Sequence, residues 1–301
     1  MTRLQANLLL LLAAAIWGGG FVAQSTAMSK IGPFWFVGLR FAIAAMAVLP
    51  FALIEARKAA KAARPLDTRA RLGFVSVGLA LFAGAITQQI GLLTTTVTNS
   101  SFLTGLYVVF VPVISVLALR RYPHWIIWPA ACMSLFGILL MSGGELANLT
   151  PGDVLSIICA LFWGLQIILA GLFVTSMGRP LALSFTQFAV CALLCLAIAP
   201  VVETISYAAI SAAAYEILYV GLISSGLAFV LQIIGQRYTT APQAAIFLSS
   251  EALFGGLLGA VLLGETLPPA GYLGCAIIFA AMLIVEIVPE LSRRRAGAPA
   301  V

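Results

Sequence analysis

The sequence predicts an all-α membrane protein of ten transmembrane helices, arranged as two inverted five-helix repeats. Three observations lead to this fold class: the composition, a series of long apolar segments, and an internal repeat. Of the 301 residues, 62% are hydrophobic and 9% are charged. Soluble domains are about half apolar and about one quarter charged, so the bilayer is the expected solvent for this chain.

Apolar segments of about 18 to 25 residues recur along the chain, and each is long enough to cross a bilayer as a helix. We expect the first to be retained rather than cleaved as a signal peptide, because its positively charged region consists of Arg3 alone. The ten predicted spans are 5–27, 33–54, 72–94, 98–119, 124–142, 152–176, 180–202, 212–236, 241–264 and 268–288.

Basic residues lie almost entirely on one side of these spans. With a cytoplasmic N-terminus, all of the 16 lysines and arginines except Lys30 and Arg40 fall in cytoplasmic segments. Because such a bias orients helical membrane proteins, both termini are expected in the cytoplasm. The net charge of +6 then reflects basic loops that face anionic lipid, and no nucleic-acid partner is expected.

Two pairs of motifs recur at nearly one spacing. The segment "AIWGGGF" contains Trp17, and "LFWGLQ" contains Trp163, 146 residues later. The segment "QQIGLLTTT" begins at Gln88, and "QIIGQRYTT" begins at Gln232, 144 residues later. Two matches at nearly one offset indicate a duplication.

Each copy contains five predicted spans, so the second copy would enter the membrane upside down. Inverted repeats around a site at the middle of the membrane are common in secondary transporters. The predicted units are a first repeat at 1–146, a second at 147–290 and a cytoplasmic tail at 291–301.

Polar and aromatic side chains within the spans are the candidate substrate-binding residues. Paired tryptophans would give a cavity flat apolar walls and N–H donors, although they could equally pack helices. Amides and hydroxyls can hold a zwitterion, but they also join helices in membranes. The candidates are Trp17, Trp163, Gln24, Gln88, Asn99, Tyr107, Gln166, Gln232 and Gln243.

Two charged residues inside spans are candidates for coupling or gating. Arg40 is expected to reach the outer interface or an acidic partner, with either a structural role or a role in gating or substrate contact. Glu251, midway along the ninth span, could carry a proton. Its alternative role is a hydrogen bond to Ser249 or Ser250.

Enzyme and metal chemistry are disfavoured by the residues present. His124 is the one histidine, and the five cysteines lie in apolar segments without metal-ligand spacing. The 27 glycines form no nucleotide-binding loop. We therefore expect no catalytic residues, metal or cofactor. A channel is less favoured than a carrier because no repeated filter-like loop is visible.

Several segments carry a family resemblance. "GPFWFVGL" followed by "RFAIAA", "SSFLTGLYVVFVPVISVLAL", "GQRYTTAPQAAIFLSSEALFGGLLGAVLLGE" and "GYLGCAIIFAAMLI" resemble the EamA-type module of the drug/metabolite transporter superfamily. The resemblance covers nearly the whole chain in two copies. It implies ten helices in two inverted repeats and a bacterial inner-membrane location. Within the superfamily the chain looks most like the YddG-type exporters of aromatic amino acids.

The chain departs from the family pattern near Glu251. The family often has Glu-Pro where this sequence has Glu251-Ala252, and Val108 stands at the equivalent position of the first half. Pro112 could kink the fourth span instead. The family's glutamate at the end of the ninth helix is matched by Glu265.

These observations predict a carrier that exports small neutral or zwitterionic solutes, amino acids among them, by alternating access. Facilitated diffusion or exchange is favoured because no paired carboxylates lie within the spans. The alternative is a proton-coupled drug or metabolite exporter that uses Glu251. The expected partners are a small solute and the lipid bilayer, and the expected state is a monomer.

Overall fold

A computed structural model describes residues 1–63, 66–95, 97–141, 150–255, 258 and 269–295, and these ranges contain helices and no strand. A π-helical segment, Val220–Leu227, joins α10 to α11, and the chain is helical again at 251–255. The helices are α1 (Arg3–Ala27), α2 (Pro33–Lys61), α3 (Thr68–Gly91), α4 (Val97–Thr104), α5 (Tyr107–Leu117), α6 (Ile127–Met141), α7 (Pro151–Met177), α8 (Pro180–Val202), α9 (Tyr207–Ala212), α10 (Ala214–Tyr219), α11 (Ala228–Gln236), α12 (Ala241–Leu248) and α13 (Pro269–Arg295).

Eight helical stretches in the described ranges are long and apolar enough to cross a membrane, and Ile127–Leu140 is a shorter apolar helix. Each coincides with one of the predicted spans. The predicted ninth span, 241–264, extends beyond the described residues, and Glu265 lies outside them. The all-helical class is thus confirmed, while the count of ten stays a prediction.

Helices α2 and α8 pack against each other in opposite directions, and each supplies a carboxylate to the other. Neither helix has a side-chain cap of its own, and both begin with proline. Glu203, at the end of α8, accepts hydrogen bonds from the backbone N–H groups of Phe34 and Trp35 at 3.0 and 3.2 Å. Glu55, near the end of α2, accepts from two first-turn N–H groups of α8 at 3.3 and 2.8 Å. These bonds satisfy donors that a helix leaves open at its N-terminus.

The fourth helix of each half is broken at an equivalent place. Helix α4 ends at Thr104 and α5 begins at Tyr107, while α12 ends at Leu248 and the helix resumes at Glu251. The two restart residues are 144 residues apart. Both breaks contain the same short i→i−3 bond, from Leu106 N–H to the Leu103 carbonyl at 3.2 Å and from Ser250 N–H to the Phe247 carbonyl at 3.3 Å.

The break in the fourth span is not at Pro112, where the sequence suggested a kink. Pro112 lies inside α5, whereas the break falls at Gly105 and Leu106. In the second half the break falls at Ser249 and Ser250, so neither break contains a proline.

Helix pairs recur between the two halves. Helix α1 packs against α11, and its counterpart α7 packs against α3. Helix α2 packs against the π-helical segment, and its counterpart α8 also packs against α3. Helix α6 packs against α13, the last helix of the other half. The described helices therefore interleave across the two halves rather than forming two separate bundles.

Gly18 lets α1 approach the backbone of the resumed helix at 251–255. A Cβ at this position would lie 2.6 Å from the Gly255 nitrogen and 2.8 Å from the Glu251 carbonyl oxygen. Gly164, its counterpart in the second Trp-Gly pair, is different: the nearest atoms, on Phe110 and Val111, would be 3.5 Å away. Close backbone approach therefore requires the glycine only in the first pair.

This difference gives a matched pair of variants. Gly18→Ala is expected to lower the free energy of unfolding by about 1 to 3 kcal/mol, because the backbones of α1 and 251–255 must separate. Gly164→Ala is expected to lie within about 1 kcal/mol of the wild type, since alanine fits and favours a helix. Thermal unfolding of both variants in detergent measures the difference. Equal loss in both variants would contradict the close contact at Gly18.

Candidate functional site

A cavity lies among helices from both halves. It brings together all of the predicted site residues except Asn99 and Gln243. The lining residues are Trp17, Phe21, Gln24, Arg40, Gln88, Thr104, Tyr107, Trp163, Gln166, Ile167, Ser224, Ser225, Phe229, Gln232 and Glu251.

One wall of the cavity is aromatic. Phe229 lies between the two tryptophans, with ring centroids 4.7 Å from Trp17 and 5.6 Å from Trp163. The rings of Trp163 and Phe229 are stacked at an interplanar angle of 27°. The two tryptophans therefore line one cavity. Sequence reasoning missed Phe229 because it is one of 18 phenylalanines and has no distinguishing pattern.

The π-helical segment shapes the adjoining wall. Trp17 Nε1 donates to the Ser224 carbonyl oxygen at 2.9 Å, which ties α1 to this segment. Gly20 allows the approach, since a Cβ there would lie 2.6 Å from Ser224 Oγ. Single π-helical turns inside helices occur frequently at functional sites.

A chain of amides runs along the second half. Gln232 Nε2 donates to Gln166 Oε1 at 3.0 Å, and Gln166 Nε2 donates to Gln187 Oε1 at 3.0 Å. Among the described residues, the chain ends in a Gln187 Nε2 donor and a Gln232 Oε1 acceptor that have no partner. In the first half, Gln88 donates to Thr104 at 3.4 Å. Gln232 lines the cavity and has a buried acceptor oxygen without a partner among the described residues.

Tyr107 and Glu251 meet where the two broken helices resume. The Tyr107 hydroxyl donates to Glu251 Oε1 at 3.1 Å, and both side chains are buried. The alternative role suggested for Glu251 was a hydrogen bond to Ser249 or Ser250, and the structure gives it a hydroxyl partner in Tyr107 instead. Both serine hydroxyls donate to backbone carbonyls of the preceding turn, a common local bond of serine in helices.

Arg40 lies deeper than its sequence position suggested. Its side chain is buried, with NH1 donating to Gln24 Oε1 at 2.5 Å and the guanidinium 5.3 and 5.0 Å from the ring centroids of Phe36 and Phe41. No carboxylate lies within ion-pair distance of it in the described ranges. The prediction that Arg40 reaches the interface or an acidic partner is therefore wrong, because the packing of α2 encloses it.

Asn99 and Gln243 lie away from the cavity. They occupy equivalent places in the first turns of α4 and α12, far from the breaks. Asn99 lies beside the Asp153 carboxylate. Gln243 Nε2 donates to Glu286 Oε2 at 3.0 Å, and Asn7 donates to the same oxygen at 2.5 Å. Their amides thus join helix ends, and the structure does not bring them to the other candidates.

Metal binding finds no support in the described residues, where no three histidine, cysteine, aspartate or glutamate side chains cluster. The cysteines there are free thiols.

The helices and the internal cavity define a multi-pass membrane protein. The sequence matches the EamA-like transporter family twice, over residues 4–143 and 150–287. The chain therefore belongs to the EamA-like transporter family, and it is a membrane transporter built from two EamA repeats.

Individual relatives agree with the family. An uncharacterized transporter of Archaeoglobus fulgidus is 32% identical over 285 residues, covering 95% of this chain and 87% of that protein. The uncharacterized inner membrane transporter YicL of Salmonella typhimurium is 26% identical over 302 residues, covering 96% of each chain. A protein known from a crystal structure shares the fold, with a TM-score of 0.76 at 16% identity, covering 95% of this chain and 98% of that one.

The indole N–H of Trp17 is expected to hold the π-helical segment in place. Trp17→Phe removes this donor and keeps an aromatic ring, so amide hydrogen exchange across 220–228 should accelerate. Trp163→Phe is the matched control, because Trp163 makes its ring contact with Phe229 rather than a bond to this segment. Unchanged exchange in Trp17→Phe, measured by mass spectrometry, would contradict the role of the Trp17 bond.

Proposed function

We propose that the chain is a carrier that exports small neutral or zwitterionic organic solutes, amino acids including aromatic ones among them. Transport proceeds by alternating access between two inverted repeats, as facilitated diffusion or exchange. The observation that carries the proposal is the cavity where the two broken helices meet, with an aromatic wall on one side and amides on the other. Broken helices that meet around a central site are typical of secondary transporters.

Several observations support the inverted arrangement of the proposed repeats, 1–146 and 147–290. Helices α2 and α8 occupy equivalent places in the two halves and run in opposite directions, as the reciprocal caps from Glu203 and Glu55 require. The breaks before Tyr107 and Glu251 have the same spacing and the same hydrogen bonds. The excess of basic residues in alternate loops supports cytoplasmic termini, with 291–301 as the tail.

The chemistry of the cavity favours an amino acid with a large side chain. The rings of Trp17, Phe229 and Trp163 offer apolar faces for an aromatic or aliphatic side chain. The Gln232 Oε1 atom, which has no partner among the described residues, can accept a hydrogen bond from an ammonium group. The proposal also includes an inner-membrane location and a monomeric state. The direction of transport, export, is taken from the family resemblance.

Counterflow tests the proposed function directly. Proteoliposomes preloaded with one unlabelled amino acid at a time would take up a labelled aromatic amino acid without any ion gradient. We expect preloading with aromatic amino acids to stimulate uptake, because an exchanger returns loaded faster than empty. If none of the preloaded amino acids stimulated uptake in the absence of an ion gradient, the amino-acid exchange proposal would be contradicted.

A proton-coupled drug or metabolite exporter is the second candidate, favoured by one observation. Glu251 is the one carboxylate among the cavity-lining residues described above. Glu251→Gln removes the charge and keeps an oxygen that can accept from Tyr107. For the exchanger we expect counterflow and its pH profile to survive this change. Flux that requires a proton gradient and disappears in Glu251→Gln would favour the second candidate instead.

A further inference from the structure

Arg40 is a buried cation with unused hydrogen-bonding capacity at the cavity wall. A guanidinium has five N–H donors in a planar fork. In the described part of the chain, NH1 donates to Gln24, and the buried Nε has no partner. The residue is 3% exposed, yet it is one of those that line the cavity.

The surroundings of Arg40 do not neutralise its charge. The Gln24 amide is neutral, and the rings of Phe36 and Phe41 contact the guanidinium without using its N–H groups. The thiols of Cys191 and Cys195 approach from α8. The carboxylate of Glu251 lies on the same cavity, but it is bonded to Tyr107. A charge buried in a membrane protein without a counter-ion is costly, and such a residue marks a functional site by default.

The position in α8 that corresponds to Arg40 in α2 is occupied by a neutral residue, Gln187. Arg40 is the seventh residue after Pro33, which begins α2, and Gln187 is the seventh residue after Pro180, which begins α8. Gln187 is fully buried and serves the amide chain through Gln166. The positive charge is thus specific to one side of the cavity.

The cation and the aromatic wall are contiguous. The Arg40 guanidinium lies 5.0 Å from the Phe41 ring centroid, which lies 6.0 Å from that of Phe229. Phe229 in turn contacts Trp17 at 4.7 Å. Arg40, Phe229 and Trp17 line the same cavity, and Arg40 is the one cation among its lining residues, so an anionic group on a ligand whose ring rests on this wall would have this guanidinium as its partner.

We propose that Arg40 is the anion subsite of the cavity and binds the carboxylate of a substrate whose apolar or aromatic body rests on Phe229 and Trp17. The guanidinium matches a carboxylate in two parallel hydrogen bonds. This inference rests on the proposed function for its setting, and it names the substrate class as aromatic carboxylates, zwitterionic amino acids included.

Three ligands of one carbon skeleton test the subsite on the wild-type protein. Phenylacetate, phenylethanol and phenethylamine are anionic, neutral and cationic at neutral pH. Their affinities would be measured by ligand-induced thermal shift on protein in nanodiscs. We expect phenylacetate to bind on the order of tenfold or more tightly than the alcohol, the scale of a charge-assisted bond. Equal or weaker binding of phenylacetate would overturn the proposal.

Variants separate the subsite from a structural role. In Arg40→Gln the preference for phenylacetate over phenylethanol should vanish while the alcohol still binds. Arg40→Lys should keep part of the preference, since it retains the charge without the fork. Arg121→Gln, at an exposed position, is the control and should bind like the wild type. An unchanged preference in Arg40→Gln would overturn the proposal, and if that variant does not fold, Arg40→Lys and the wild-type series decide.

Counterflow on the same preparation distinguishes the two proposals. Amino-acid exchange without any preference for phenylacetate would overturn the anion subsite and leave the proposed function. A preference for phenylacetate that Arg40→Gln abolishes, without amino-acid exchange, would support the subsite and contradict the amino-acid assignment.

Discussion

The hydrogen bond between Tyr107 and Glu251 is the interaction on which the centre of the molecule depends. It joins the two halves at the points where their fourth helices resume after a break. A carboxylate inside a membrane protein needs a partner, and the tyrosine hydroxyl supplies it. Gly18 brings α1 against the resumed helix at 251–255, so the position of Trp17 at the cavity follows from the same junction.

The two Trp-Gly pairs share a sequence but not a role. In the first, Gly18 permits backbone contact and Trp17 bonds the π-helical segment through Ser224. In the second, Trp163 stacks on Phe229, and Gly164 has room for a side chain. Divergence of this kind recurs at other equivalent positions, where Tyr107 of the first half corresponds to Glu251 of the second and Arg40 corresponds to Gln187. A duplicated scaffold can thus enclose a cavity with different chemistry on its two sides.

The sequence was sufficient for the class of fold and for most of the cavity. Long apolar segments define helices in a bilayer, and polar residues within them are few enough that most converge on one site. Phe229 could not be singled out, because an aromatic residue in an apolar span gives no sign of which face it occupies. Arg40 was placed too near the surface for a related reason, since sequence depth does not report how neighbouring helices cover a side chain.

The breaks in the fourth helices were also beyond sequence reasoning. Pro112 was the obvious signal, yet the chain breaks at Gly105 in one half and at Ser249 in the other. Neither break contains a proline, so the proline signal did not predict its position. Asn99 and Gln243 were assigned to the cavity because they are amides within apolar spans. Their place in the first turn of a helix takes them to Asp153 and Glu286 instead.

A double-mutant cycle on Tyr107 and Glu251 tests the importance of this junction most directly. Thermal unfolding would be measured for the wild type, Tyr107→Phe, Glu251→Leu and the double variant. Each single change leaves one buried polar group without its partner, whereas the double change removes both. We expect the double variant to be more stable than the sum of the single losses predicts, by about 0.5 to 3 kcal/mol. Additive losses would show that the two side chains are not coupled and would contradict the central role of this bond.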